Sequence, residues 1–195
     1  MKKITYSLRI GFIGNKESTQ KVFLDNLRRY AISSITQKEF LEFLIVFNEI
    51  PIKIKTFLAE DLDEMAYNFD NIEKLDVIIF IVNLFESDSL NTIDGKDIQD
   101  FIELFSFQGI TILVGFDIEQ LFKKRMVNKF KISRFHLEKK AKDLDFFYCY
   151  EIYNNEEDVS DIYNKIFKEF LFRFQYSSSK ELWYAAKNYG KELLK

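Results

Sequence analysis

The sequence predicts an α/β protein: a three-layer sandwich with a mainly parallel six-stranded sheet, one antiparallel edge strand and a C-terminal helix. Three observations predict it. Short apolar runs alternate with longer stretches of helical spacing, the pattern of strands joined by crossover helices. The runs at 77–84 and 110–114 are apolar almost throughout, as strands covered on both faces are. Two apolar runs flank Asn48 and Glu49 closely enough to form a hairpin.

In chain order, residues 6–13 read as a strand ending at Gly14. Residues 20–30 read as a helix, with Val22, Phe23 and Leu27 near one face. The hairpin comprises 40–47 and 52–58, with Pro51 at the entrance of its second strand, where no ladder donor is needed. Strand alternation puts Phe43 and Phe47 on one face and Phe40 on the other, so one face of this edge hairpin is expected to stay apolar and open to a partner. Residues 61–74 carry Leu62, Met65, Phe69 and Ile72 at helical spacing. The strand at 77–84 precedes a helix at 97–107, for which Gly109 is the expected C-terminal cap. The strand at 110–114 leads to a lysine-rich, helical or partly irregular stretch at 118–144. A last strand spans 146–152. In the helix at 158–174, Val159, Ile162, Ile166 and Phe170 share a face. Residues 176–180, with three consecutive serines, read as a hinge before a helix at 180–195. The expected organisation is one domain over 1–175 and an appended hinge and amphipathic helix over 176–195.

Composition excludes several function classes. The 195 residues carry 28 Lys+Arg and 31 Asp+Glu, a net charge of −3, without the basic excess of a general nucleic-acid binder. One Cys and one His argue against a disulfide framework, a Cys- or His-based metal site and a catalytic triad. No apolar run approaches the ~20 residues of a membrane span. Lys2 and Lys3 imitate a signal-peptide start, but Arg9 breaks the apolar stretch that such a peptide would need, so a cytoplasmic protein is expected. Lys2 replaces the glycine that myristoylation needs, and no terminal Cys offers prenylation, so no stable membrane anchor is expected. Phe is abundant at 22, most of it needed as core, while Gly is scarce at six, leaving little for phosphate-cradling loops.

Particular segments carry a resemblance. Gly14-Asn15-Lys16-Glu17-Ser18-Thr19-Gln20-Lys21 comes directly after the first strand. Asp76-Val77-Ile78-Ile79-Phe80-Ile81-Val82-Asn83 is followed by Ser87-Asp88-Ser89-Leu90. Ile112-Leu113-Val114-Gly115 and Phe146-Phe147-Tyr148-Cys149 complete the set. In order and hydrophobic pattern these resemble the Ras-like small GTPases over roughly residues 4–174, which implies a P-loop GTPase-like fold.

The same resemblance implies that the nucleotide chemistry is degraded. A phosphate loop needs Gly-x-x-x-x-Gly-Lys-Ser/Thr. Gly14 matches the first glycine. Thr19 replaces the second, Gln20 the lysine and Lys21 the magnesium-binding hydroxyl, and a cation cannot hold magnesium. The Asp-x-x-Gly segment falls near Phe57-Leu58-Ala59-Glu60, with Asp61 in place of the water-orienting Gln. The base-reading Asn-Lys-x-Asp falls near Phe116-Asp117-Ile118-Glu119, and Ser-Ala-Lys becomes Tyr150-Glu151-Ile152. Thr36 sits loosely where a switch threonine would.

The expectation is therefore a non-hydrolysing protein with no catalytic residue, no metal and no cofactor. It would act as an interaction or scaffold subunit toward another GTPase-like subunit or a small α/β protein. The alternative is an atypical GTPase binding GTP or GDP, with Lys16 or Lys21 in place of the missing lysine. A response-receiver-like domain is discounted, since Gly14-Asn15 offers no paired carboxylates.

Other residues have plainer readings. Lys16 and Lys21 read as solvated lysines or as anion attractors beside a helix start. Asp61, Asp63 and Glu64 read as a charged helix start or a partner surface. His136 reads as a surface or structural histidine, and Cys149 as a small core residue rather than a nucleophile. The last helix, with Leu182, Ala186, Tyr189 and Leu193 along one side, suits packing on its own domain, a partner or a membrane surface.

Overall fold

The computed structural model describes residues 3–14, 19–37, 40–68, 75–116, 132–153 and 156–195. Apolar runs of five to ten residues become strands β1 (Tyr6–Ile13), β3 (Leu41–Phe47), β4 (Ile50–Ala59), β5 (Val77–Asn83), β6 (Ile110–Phe116) and β7 (Tyr148–Ile152). Ser33–Thr36 adds β2, giving a seven-stranded sheet in the order β2-β3-β4-β1-β5-β6-β7, not the six strands expected. All four β2 residues are exposed, so no apolar pattern marks this strand. Its antiparallel ladder to β3, Ser33 opposite Leu44 through Thr36 opposite Leu41, holds it. The antiparallel part is thus two strand pairs, β2–β3 and β3–β4, while β4–β1, β1–β5, β5–β6 and β6–β7 run parallel.

The helices among the described residues are α1 (Lys21–Tyr30), α2 (Leu62–Asn68), α3 (Ser87–Asn91), α4 (Gly95–Phe105), α5 (Arg134–Asp143), α6 (Glu157–Ser177) and α7 (Lys180–Leu193). Strand alternation divides the core. Leu8, Ile10 and Phe12 of β1 join Val77, Ile79 and Ile81 of β5 under α1 and α6. Ile13, Ile78, Phe80 and Val82 face the other way, with Met65 of α2, Ile98 and Phe101 of α4 and Leu137 of α5. The three layers are as expected. Four phenylalanines and Tyr163 form a run of ring contacts through the first core: Phe12 to Phe23 at 5.4 Å, Phe23 to Tyr163 at 6.0 Å, Tyr163 to Phe167 at 5.7 Å and Phe167 to Phe47 at 5.4 Å. Such pairs add about 0.5–1.5 kcal/mol each beyond burial. Tyr163 donates its hydroxyl to the Phe23 carbonyl at 3.1 Å, and burial pushes its pKa well above the ordinary tyrosine range.

Several local expectations are corrected. The open apolar hairpin face does not exist: Phe43 is buried, Phe47 packs on Phe167, and Phe40 meets Phe57 at a tilt, 5.9 Å between ring centres, under the Lys55 ammonium. Gly109 does not cap α4. Ser106 does, at φ 47°, while Gly109 sits where any Cβ would collide with the Asp76 carbonyl. The hinge narrows to Ser178–Ser179, because α6 continues through Ser177 and the Ser179 hydroxyl caps α7 by accepting from Leu182 N–H. The expected stretch at 118–144 lies partly outside the described residues; α5 is its described helix.

The last helix packs on its own domain. Of the side expected from the sequence, Ala186 is buried and Leu182 is exposed; the inner stripe runs through Trp183, Ala186 and Gly190. Gly190 presses on the Glu49 carbonyl at the hairpin turn, and Trp183 meets Tyr6 at 6.0 Å. That turn has φ of 49° at Asn48 and 67° at Glu49, as a two-residue hairpin requires. No helix among the described residues is long and apolar enough to cross a membrane.

Candidate functional site

The expected nucleotide positions gather at the C-terminal ends of β1, β4 and β6. Gly14 closes β1 at φ 142°, in a region that favours glycine; a Cβ there would lie 2.6 Å from the Ile81 carbonyl. Its N–H donates to the Ala59 carbonyl at 3.1 Å, tying the end of β1 to the end of β4. Lys16 lies outside the described residues. Thr19 is buried and Lys21 is exposed at the start of α1.

Gln20 decides the chemistry of this corner. The side chain is 0% exposed. Its Nε2 donates to the carbonyls of Ala59 at 2.8 Å, Gly14 at 2.9 Å and Phe12 at 3.2 Å. Three acceptors around one nitrogen fix the amide's orientation, since an oxygen placed there would be repelled by all three. Position 20 is thus turned inward, binding the start of α1 to two strand ends. Its Oε1 is buried without a hydrogen-bond partner, a cost offset by its two amide hydrogens, which the three carbonyls share.

The other motif positions also serve packing. Phe116 is 0% exposed and belongs to the first core, so the position the resemblance aligns with a base-reading residue is apolar filling, in keeping with its expected degeneracy. Asp117 and Glu119 lie outside the described residues. Phe57 belongs to the second core and Ile152 to the first. Asp61 accepts from Glu64 N–H at 2.7 Å, while Glu64 accepts from Glu60 N–H at 2.6 Å. Asp61 thus takes up an N–H of the first turn and Glu64 one just before it, so these two acids start α2.

Beside Gly14 lies a cavity of about 260 Å³ between the starts of α2 and α4. Glu60, Asp61, Asp63, Asp94 and Asp97 line it with Ile13, Phe80 and Ile98, and among the described residues no Lys or Arg does. Carboxylates on this wall oppose a polyphosphate. Asp94 and Asp97 were not singled out from the sequence. Asp94 caps α4 by accepting from Lys96 and Asp97 N–H, and an aspartate directly before Gly95 was the available signal. Among the described residues no group of three or more His, Cys, Asp or Glu is placed to hold a metal ion.

The two remaining candidates take structural roles. His136 completes a capping box with Ser133, its Nδ1 3.0 Å from Ser133 Oγ, while neighbouring Glu138 pairs with Arg134 at 2.7 Å. Cys149 is half-buried against the second core, and burial, with Glu138 and Glu151 nearby, pushes its thiol up to about 11. A thiol so rarely ionised is a poor nucleophile. No family model matches the chain, and no curated protein is detectably similar to it.

Proposed function

We propose that this chain is a GTPase-like protein-interaction subunit that neither clamps magnesium-GTP nor hydrolyses it, in line with its resemblance to the Ras-like small GTPases. The observation that carries this reading is the Gln20 amide, buried and spent on three backbone carbonyls. In a nucleotide switch, the γ-phosphate and its magnesium order two loops. Here the polypeptide supplies its own tie between α1, β1 and β4, so the surface offered to a partner does not depend on a nucleotide. The acidic cavity beside Gly14 favours the same reading. The partner class is another GTPase-like subunit or a small α/β protein.

Calorimetry tests it. With GTP and GDP, with and without magnesium, no binding tighter than about 1 mM, roughly −4 kcal/mol, is expected. Micromolar, magnesium-dependent binding overturns the proposal in favour of an atypical GTPase using Lys16 or Lys21.

A further inference from the structure

Strand β7 closes the sheet at one edge, pairing with β6 alone among the described residues. The direction of its free peptide groups is set by its neighbours. Ile110 N–H donates to the Asp76 carbonyl and Leu84 N–H to the Phe116 carbonyl, so the even-numbered residues of β6 turn their peptides toward β5. The odd ones therefore face β7. In the register Ile112 opposite Tyr148, the even residues of β7 bond to β6, and Cys149 and Glu151 turn their N–H and C=O outward. The flanks are aromatic: Phe147 is 58% exposed and Tyr153 44%. No proline or lysine guards the strand, although natural edges are usually blunted by such residues.

We infer that two copies of this chain pair antiparallel through β7, across a two-fold axis at Tyr150, to make one continuous sheet. The strand is complementary to itself about that point. Cys149 of one copy faces Glu151 of the other, and the outward groups form about four hydrogen bonds. Tyr150 meets Tyr150, an aromatic cross-strand pair of the kind that stabilises sheets, and the exposed rings of Phe147 and Tyr153 border the seam at the two ends of the strand. Charge agrees as well. Asp161, Glu169 and Lys165 of α6, the last paired with Glu169 at 3.3 Å, all lie within electrostatic reach of Tyr150, so charges of both signs flank the axis rather than a single-sign patch that would repel its copy. On the opposite face, Arg134 lies within reach of both Glu151 and Cys149, so it meets the incoming Glu151. The other edge is less suited: β2 has four residues, of which only Ile35 is apolar. This inference does not rest on the nucleotide reading, since a chain that bound GTP would present the same edge.

Sedimentation of the full chain at about 100 μM should give twice the 23.4 kDa chain mass; a monomer at that concentration overturns the pairing. Glu151→Cys, mildly oxidised, should give a disulfide-linked dimer through Cys149 of the other copy, which antiparallel Cα spacing permits. Failure to cross-link counts against it. Glu151→Pro removes an outward N–H, a change edge strands tolerate, and should abolish the dimer with unchanged circular dichroism. Should that variant unfold, Phe147→Lys alters only an exposed side chain and should weaken dimerisation at least tenfold. Ile35→Lys on β2 should leave it intact. A dimer insensitive to Phe147→Lys, or lost in Ile35→Lys, overturns the assignment.

Discussion

At Gln20, one primary amide reaches three carbonyls that arrive from two strands and a turn. Net hydrogen-bond contributions are modest, but leaving buried carbonyls unsatisfied is costly. Gln20→Ala is expected to cost about 2–3 kcal/mol of unfolding free energy, read by urea denaturation. Gln20→Glu should cost more at pH 7, because an ionised carboxylate has no hydrogen to donate and would face three carbonyls. Part of that loss should return on acidification, as the protonated carboxyl regains one donor. A Gln20→Glu variant as stable as the parent at pH 7 would show that the amide does not hold this corner. The sequence displayed a glutamine where the resemblance wanted a lysine. Its destination was not legible, because Ala59 lies 39 positions away and only the β1–β4 pairing brings its carbonyl close. Phe116 was more transparent: an aromatic at the end of an apolar run reads as core, and it is.

Among the elements, those with strong apolar periodicity were readable and those held by backbone pairing alone were not. β5 and β6 are buried as their composition indicated, and Val159, Ile162, Ile166 and Phe170 form the buried face of α6. β2 was invisible, since Ser33, Ser34 and Thr36 carry no burial signal. The orientation of α7 misled for a related reason. Its closest approach uses Gly190, whose value there is the absence of a side chain, so a search for apolar residues found Ala186 but overlooked Gly190 and took in the exposed Leu182. Gly190→Ala would gain about 1 kcal/mol of helix propensity yet drive a methyl into the Glu49 carbonyl. Overlap in a packed contact costs about 1–3 kcal/mol, so a net loss is expected, with faster proteolysis within residues 180–195. The Lys187 and Lys191 pairs with Glu49, at 3.7 and 3.4 Å, are exposed and contribute little to holding the helix. An unchanged melting temperature and digestion pattern would mean that α7 is held elsewhere.

For the whole molecule, Asp76 links stability to pH. It stands where the starts of β5 and β6 meet the middle of β1. Its Oδ2 accepts from Arg9 N–H at 2.8 Å, its N–H donates to the Arg9 carbonyl at 3.0 Å, and its carbonyl accepts from Ile110 N–H at 2.9 Å. Burial raises its carboxyl above the ordinary 3.8, outweighing the hydrogen bond and the charges of Arg9 and Arg173. The fold therefore favours the protonated form. That contribution is complete below the ordinary value and is lost as pH climbs through the raised one. Asn keeps an oxygen acceptor for Arg9 N–H and carries no charge. Asp76→Asn should accordingly melt higher than the parent at pH 7–8, with the gap closing below about pH 4. A gap that widens in acid would contradict this sign. The three-layer architecture itself was legible because it arises from alternating strand and helix patterns; the closing contacts at both ends of the sheet were not, being made between segments far apart in sequence.

The clasp between Tyr6 and the α6–α7 junction has a kinetic meaning. The Tyr6 hydroxyl donates to Ser178 Oγ at 3.1 Å across 172 positions of sequence, beside the ring contacts of Tyr6 with Phe174 and Trp183. Contacts between such remote segments demand the greatest loss of chain freedom before they return any stabilisation. The sheet and its two cores are thus expected to assemble first, with α7 settling over the hairpin as the last latch of the folding reaction.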